Sequence, residues 1–357
     1  MSTGPQPRTT TIAPPDPIVR AQALARSDAQ AKPQGALGRL EQVGAFIAAC
    51  QGVCPPEPVE RVRAVVLAGD HGVTRAGVSA YPSEVTAAMV HAFVAGVAGV
   101  SVLARQHQAT VRVLDIGVDA DLSSAPTDVT AYKLTRGSGQ LHLQDAITQD
   151  LARHAVQVGE RIADDEIDAG AQLLVLGDMG IGNTTPAAAL IATSLGLDAD
   201  QVTGRGTGVD DAGYARKQDV LCQALARVGD SDGRVVDPVR RLAAVGSADL
   251  AAGAGFLAQA ARRGVPVLLD GVIACAEAVV AADLAPGAQA WFLAGHRSPE
   301  PAQAHALNAL GLEPLVDLGM RLGEGSGAMV SVPLVRSAVL LLRDLALLAD
   351  LVGDAGH

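Results

Sequence analysis

The chain has 357 residues, 49% hydrophobic and 18% charged, enough to bury one large core, or one large and one small. Aromatic residues make up only 2%, which argues against nucleic-acid binding on stacked aromatic platforms and leaves a core of Ala, Val and Leu. With 38 acidic and 27 basic residues the net charge is −11; this argues against a polyanionic surface as partner, but not against a small phosphorylated molecule held by a few amides and one lysine.

Residues 1–15 are rich in Thr and Pro, lack an apolar centre, and read as a disordered tail rather than a signal peptide. Residues 16–60 carry helical patterning without strands. Cys50 and Cys54 have too few partners nearby for a zinc site. With Cys222 and Cys275 they read as small, half-buried apolar residues of a reducing, cytoplasmic compartment.

From 61 to 330, short apolar runs alternate with Ala-rich helical segments. The runs are Val65–Ala68, Val111–Asp115, Gln172–Leu176, Val267–Leu269, Trp291–Ala294 and Leu315–Asp317. Their length suits strands buried on both faces. Alternation with helices predicts an α/β fold, a parallel sheet with helices on both faces. Right-handed crossovers then gather the loops after the strands at one edge, where such sheets bind ligands.

Residues 331–352 return to helical patterning. No uninterrupted apolar run is expected to span a membrane; Val332–Leu351 comes nearest, but Arg336, Arg343, Asp344 and Asp350 mark it as a buried or amphipathic helix. Segments 16–60 and 331–352 are expected to pack together as a small helical domain beside a large domain of residues 61–330.

Three loops carry the chemistry. The first, Gly177-Asp178-Met179-Gly180-Ile181-Gly182-Asn183-Thr184-Thr185, leads from a strand into a helix with Pro186 in its first turn. Thr184 or Thr185 is placed to cap that helix. Glycines and free helix amides suit a phosphate, but the spacing is not that of a nucleoside-triphosphate loop. The second, Gly204–Asp211, alternates glycines and is followed by Lys217, a point charge for a phosphate. The third, Met320–Ala328, isolates Glu324 between glycines, where a half-dehydrated carboxylate with a raised pKa can act as general base. Gly69-Asp70-His71-Gly72 and Gly295-His296-Arg297-Ser298 add donors, with His71 equally readable as a satisfied structural histidine.

Together, Lys32–Glu41, Leu67–Val73, Tyr81–Val90, Leu176–Ala187, Gly204–Asp211, Leu268–Ile273, Gly295–Glu300 and Leu318–Ala328 resemble, in order, the motifs of the nicotinate-nucleotide–dimethylbenzimidazole phosphoribosyltransferase family. The resemblance implies a Rossmann-like domain, a small domain from both chain ends and a homodimer. It implies transfer of ribose 5-phosphate from nicotinate mononucleotide to 5,6-dimethylbenzimidazole with inversion at C1′, giving α-ribazole 5′-phosphate and nicotinate for cobalamin biosynthesis. It needs no metal and no diffusible cofactor, and it brings no nucleic acid or membrane partner.

By the same resemblance Glu324 is the catalytic base. Asp178, where the family often has Glu, faces the ribose or the charged ring and stabilises positive charge at C1′. Gly180, Gly182, Asn183, Thr184, Lys217, Ser298 and Arg321 line the ribose-phosphate and nicotinate sites. Tyr81, Pro82, Met89 and Leu322 hold the benzimidazole. Tyr81 and Met89 replace polar residues found in some members and bear on which base is accepted. Competing readings are transfer to another flat base (adenine, another benzimidazole or a phenol), a non-catalytic nucleotide-binding homologue, which the presence of Glu324 disfavours, and a nicotinamide-dependent dehydrogenase, for which the GxGxxG fingerprint is missing.

Overall fold

The computed structural model describes residues 11–353 apart from 231. All six expected strands form: β1 (Val62–Gly69), β2 (Thr110–Gly117), β3 (Leu173–Met179), β4 (Val267–Leu269), β5 (Phe292–His296) and β6 (Pro314–Val316). They make one parallel sheet in the order β2-β1-β3-β4-β5-β6. The chain runs outward to β2, returns across β1 and then adds β3 to β6 in sequence. The order reverses between β1 and β3, where α/β sheets open a crevice for ligands. This is not the 3-2-1-4-5-6 order of dinucleotide-binding sheets, a further mark against the dehydrogenase reading.

Strand alternation divides the core in two. Val65, Leu67, Leu174, Leu176, Val267 and Leu269 face one layer of helices. Ala64, Val66, Ala68, Leu173, Val175 and Leu268 face the other. The first layer contains two helices in very close contact, Gln149–Asp168 and Ala248–Arg262. Gly159 makes the approach possible, since a Cβ there would overlap the backbone carbonyl of Ala252; Gly255 plays the same part against Val156.

Helices from the two ends of the chain pack together. The helix Pro17–Ala29 is capped by Asp16 Oδ1, which accepts the N–H groups of Ile18 at 2.8 Å and Val19 at 3.1 Å. It packs with the helices Arg39–Gln51 and Ser326–Asp344 through Val19, Ala23, Ala45, Ala48 and Leu342. Arg26 Nε and Gln30 Nε2 each donate to carbonyls at the end of Ser326–Asp344, at 2.8 Å. That helix also lies on the sheet through Ala328, Met329 and Val332, so one element serves both ends of the molecule.

Three expectations need correction. Residues 1–10 of the expected tail lie outside the described residues, but Ile12 N donates to Pro286 O at 2.7 Å and Trp291 Nε1 donates to Ala13 O at 3.0 Å, so chain order begins before residue 16. Val85–Gln106, not Val332–Leu351, is the longest apolar stretch; with Ser326–Asp344 it is long and apolar enough to cross a membrane. It is broken into helices Val85–Val94 and Gly99–Gln106, with Gly96 left-handed between them, and more than half of Ser326–Asp344's most apolar window is buried. Among the cysteines, Cys222 is exposed rather than half-buried, while burial pushes the Cys275 thiol up to about 12.

Gly159→Ala is expected to lower unfolding stability by about 2–3 kcal/mol, because the helix pair has no room to relax around a methyl group. A urea midpoint unchanged from that of the parent chain would contradict this packing.

Candidate functional site

The ends of β3, β4 and β5 and the loop after β6 open into one cleft of about 630 Å³. Its base is Glu324, which has φ +65° in a run of three left-handed residues with Gly323 and Gly325. A non-glycine residue held there costs about 1–3 kcal/mol and persists only when its surroundings impose it. Two contacts do so. Asp270, just past β4, accepts the N–H groups of Gly325 at 3.1 Å and Ala328 at 3.0 Å, fixing the start of Ser326–Asp344. Gly177 of β3 lies against the Glu324 carbonyl, where a Cβ would overlap it.

The Glu324 side chain is 4% exposed and its Oε2 has no hydrogen-bond partner among the described residues. Burial raises its pKa from 4.5 to about 7; the charge on Asp270 adds to the rise, while the amides of Val100 and Gly99 at the start of the Gly99–Gln106 helix oppose it. Asp270 itself is held below the usual carboxylate range: burial opposes this, but His296 and the two loop amides outweigh it. His296 Nε2 is 3.4 Å from Asp270 Oδ1.

Asp178 lies on the opposite face of β3 from Gly177. Its Oδ1 accepts Asn183 Nδ2 at 2.6 Å. Burial, and next the charge of Asp249, push its pKa well above the usual range. Both effects disfavour the ionised form of Asp178. Asn183 spends its amide on Asp178, and no side chain caps the helix Thr184–Leu195. The expected Thr cap is therefore absent; Thr184 Oγ1 instead accepts Lys217 Nζ at 2.8 Å.

Lys217 is fully buried in the helix Asp211–Val228, not solvated. Burial lowers its pKa, and Glu300, whose Oε2 is 4.0 Å away, opposes that shift. Glu300 Oε1 also accepts Gly206 N at 2.7 Å, tying the 204–208 loop to the end of β5. Arg321 Nη1 donates to Gly206 O at 3.4 Å from the far side. Ser298 is oriented by its N–H, which donates to Gln303 Oε1 at 2.6 Å, and its hydroxyl has no partner among the described residues.

Of the residues expected at the site, Asp178, Gly180, Asn183, Thr184, Ser298, Arg321, Glu324, Tyr81, Met89 and Leu322 line the cleft. Gly182, Lys217 and Pro82 do not. Gly182 is left-handed and packs near Thr74, while Lys217 lies behind Thr184. Pro82 is exposed, its carbonyl accepting Val85 N at 3.2 Å. Asp270, Glu300 and Gly177 went unassigned; each stands in a recognisable motif, but its task is a long-range contact with no local signature.

A carboxyl whose folded pKa exceeds its unfolded value binds its proton more tightly in the fold. It therefore contributes stability below about pH 4.5 that is lost as pH rises through about 7. Glu324→Gln is expected to remove that decline and to exceed the parent in stability by about 2 kcal/mol above neutral pH. Urea unfolding at a series of pH values measures it; parallel curves for the two proteins would refute the burial cost.

A profile of the phosphoribosyltransferase family matches residues 12–351. The nicotinate-nucleotide–dimethylbenzimidazole phosphoribosyltransferase of Mycolicibacterium paratuberculosis is 54% identical over 342 residues, covering 95% of this chain and 96% of the relative. The Mycobacterium tuberculosis protein of the same name is 53% identical over 335 residues, covering 94% and 91%. The crystal structure of CobT from Thermus thermophilus superposes with a TM-score of 0.87 at 44% identity, covering 91% of this chain and 96% of that one. On sequence, fold and cleft alike, the chain belongs to the nicotinate-nucleotide–dimethylbenzimidazole phosphoribosyltransferase family.

Proposed function

We propose that this enzyme moves ribose 5-phosphate from nicotinate mononucleotide to 5,6-dimethylbenzimidazole, releasing nicotinate and α-ribazole 5′-phosphate. The observation that carries the reading is Glu324: a buried carboxyl with a free oxygen, poised near neutrality, in a cleft whose two ends differ in chemistry. One end is polar, with Thr184, Gly206, Ser298 and Arg321 in the wall and Lys217 behind it. The other is apolar, with Tyr81, Val85, Met89 and Leu322. A phosphorylated donor suits the first end and a flat aromatic acceptor the second.

The donor's glycosidic bond breaks with its electrons going to the pyridinium nitrogen, so nicotinate departs without needing a proton. The lone-pair nitrogen of the benzimidazole attacks C1′ from the opposite face, turning a β-glycoside into an α-glycoside. As the new C–N bond forms, the proton on the second ring nitrogen passes to Glu324. A base with a pKa near the operating pH is largely available and still accepts a proton readily. Lys217 supplies fixed positive charge beside Thr184 for the phosphate, and Ser298 and Asn183 position the donor.

The purified protein incubated with both substrates is expected to yield nicotinate and α-ribazole phosphate in equal amounts, followed by chromatography. Nicotinate without the nucleotide would mean hydrolysis; neither product would refute the transferase reading. Glu324→Gln should reduce turnover by about two to four orders of magnitude with little change in substrate binding. It should also remove the rise of kcat/KM for the acceptor through about pH 7. Lys217→Met, which keeps the stem packed, should chiefly raise KM for nicotinate mononucleotide; an effect confined to the benzimidazole would contradict the phosphate assignment.

A further inference from the structure

Behind Asp178 lies a group of ionisable side chains that the transfer reaction does not itself use. His71 follows β1, and Asp249 opens the helix Ala248–Arg262. One ligating atom from each of His71, Asp178 and Asp249 lies within 4.8 Å of the others. His71 Nε2 is 3.3 Å from Asp249 Oδ2. All three residues are at most 5% exposed. The end of β1 is shaped to admit Asp249, since a Cβ on Gly69 would lie 2.6 Å from its Cγ. Asp178 Oδ2 and Asp249 Oδ2 have no hydrogen-bond partner among the described residues.

The surrounding charges are all acidic. Asp70 faces His71 from the loop after β1, its Oδ2 accepting Asp119 N at 2.8 Å. Glu277, on the helix Val272–Leu284, is fully buried, and neither of its carboxyl oxygens has a partner. Among the described residues no lysine or arginine is paired with Asp70, Asp178, Asp249 or Glu277.

We infer that Asp178 and Asp249 hold one proton between them with His71 as their counter-cation, and that His71 and Asp249 are positioning residues that present Asp178 to the substrate as a neutral hydrogen-bond donor. The inference rests on the reading of Asp178 as a ribose-facing group. Two ionised carboxylates beside one imidazolium would leave an uncompensated negative charge in a dry site, a costly arrangement. One retained proton leaves an ion pair and a neutral acid. The proton stays on Asp178 because Asp249 has His71 beside it at 3.3 Å to balance its charge, whereas the charge that weighs most on Asp178 after burial is that of Asp249. The pKa directions agree: Asp249 and His71 shift toward their charged forms, Asp178 and Glu277 toward neutral ones.

The arrangement serves the transfer. An ionised carboxylate against the donor's pyridinium would stabilise a charge that the reaction discharges, lowering the ground state more than the transition state. A neutral Asp178 donates to a ribose oxygen without that penalty. The cleft then holds two carboxyls driven apart in function, Glu324 to accept a proton and Asp178 to keep one.

The test uses the full-length chain with its aspartate carboxyls ¹³C-labelled, the Asp178 resonance being identified by its loss in Asp178→Asn. At about pH 7 the wild-type signal is expected at the protonated-carboxyl position, moving to the ionised position in Asp249→Asn. A wild-type signal already ionised at neutral pH would overturn the inference, as would a stoichiometric metal ion in the purified protein. This arm needs no substrate, so its failure is separable from failure of the transferase reading, which product analysis decides. In kinetics, Asp249→Asn should move the alkaline limb of kcat/KM for nicotinate mononucleotide to lower pH by about one unit or more. His71→Asn, which removes the positive charge, should move it to higher pH. Shifts in the same direction, or none in either variant, would reduce the pair to scaffolding and overturn the positioning role.

Discussion

The chemistry of this cleft depends on the carboxylate of Asp270. The helix Ser326–Asp344 begins above the sheet, and its first amides have no partner of their own. Asp270, arriving from the end of β4, takes the N–H groups of Gly325 and Ala328 and so acts as a cap supplied by a distant strand. The residue before that cap is Glu324, which is thereby fixed in a left-handed conformation that its side chain would not choose. The same carboxylate also tunes what it positions. Its ionised form, sustained by His296 and the loop amides, raises the Glu324 pKa beyond what burial alone does. Position and pKa of Glu324 therefore share one anchor, and moving that anchor would disturb both.

The second organising feature is the alternation of β3. Gly177 faces the layer that contains Ser326–Asp344, and its missing side chain lets the Glu324 backbone pass over the sheet end. Asp178, one residue on, faces the layer that contains Ala248–Arg262 and Val272–Leu284, where the other buried acids lie. A step of one residue thus separates the environment of Glu324 from one crowded with negative charge. Both environments shift the carboxyl pKa upward, Glu324 to about 7 chiefly by burial, Asp178 by burial and by the charge of Asp249.

Much of this was legible in the sequence, and the limits have physical causes. All six strands were visible because strands buried on both faces read as unbroken apolar runs, and the loops behind them were visible because glycine and polar residues punctuate the runs. Glu324 stood out through its flanking glycines. Lys217 stood out as a candidate phosphate contact, but its burial did not, since a lysine in a helix of mixed polarity has no local mark of being inside. Asp178 was found, but its surroundings were not legible: Asp249 and Glu277, which crowd it with negative charge, lie roughly 70 and 100 residues further along the chain. Val85–Gln106 is the longer apolar stretch, but its glycines divide it into two short helices, Val85–Val94 and Gly99–Gln106. The meeting of the chain ends was inferred from leftover helical segments; its basis, the buried Arg26 and Gln30 contacts to the 341–345 backbone, lies wholly in three dimensions.

The two ends of the cleft are built to different tolerances, and this bears on how each substrate is recognised. At the donor end, buried polar groups are already paired: Lys217 with Thr184, Gly206 with Glu300, Ser298 with Gln303. A ligand that does not fit these fixed groups would have to break hydrogen bonds already made, a penalty that discriminates strongly. At the acceptor end Tyr81 is 56% and Leu322 57% exposed, and the wall between them is apolar. Apolar contact rejects an ill-sized ring but separates flat bases of similar size only weakly. What the acceptor must supply is instead chemical: a nitrogen to attack C1′ and a proton that Glu324 can take as it does so. On the proposed assignment of the two substrates, selectivity for the ribose donor resides in the scaffold, while selectivity for the acceptor resides largely in the acidity of the acceptor itself, with Tyr81 and Met89 adding shape.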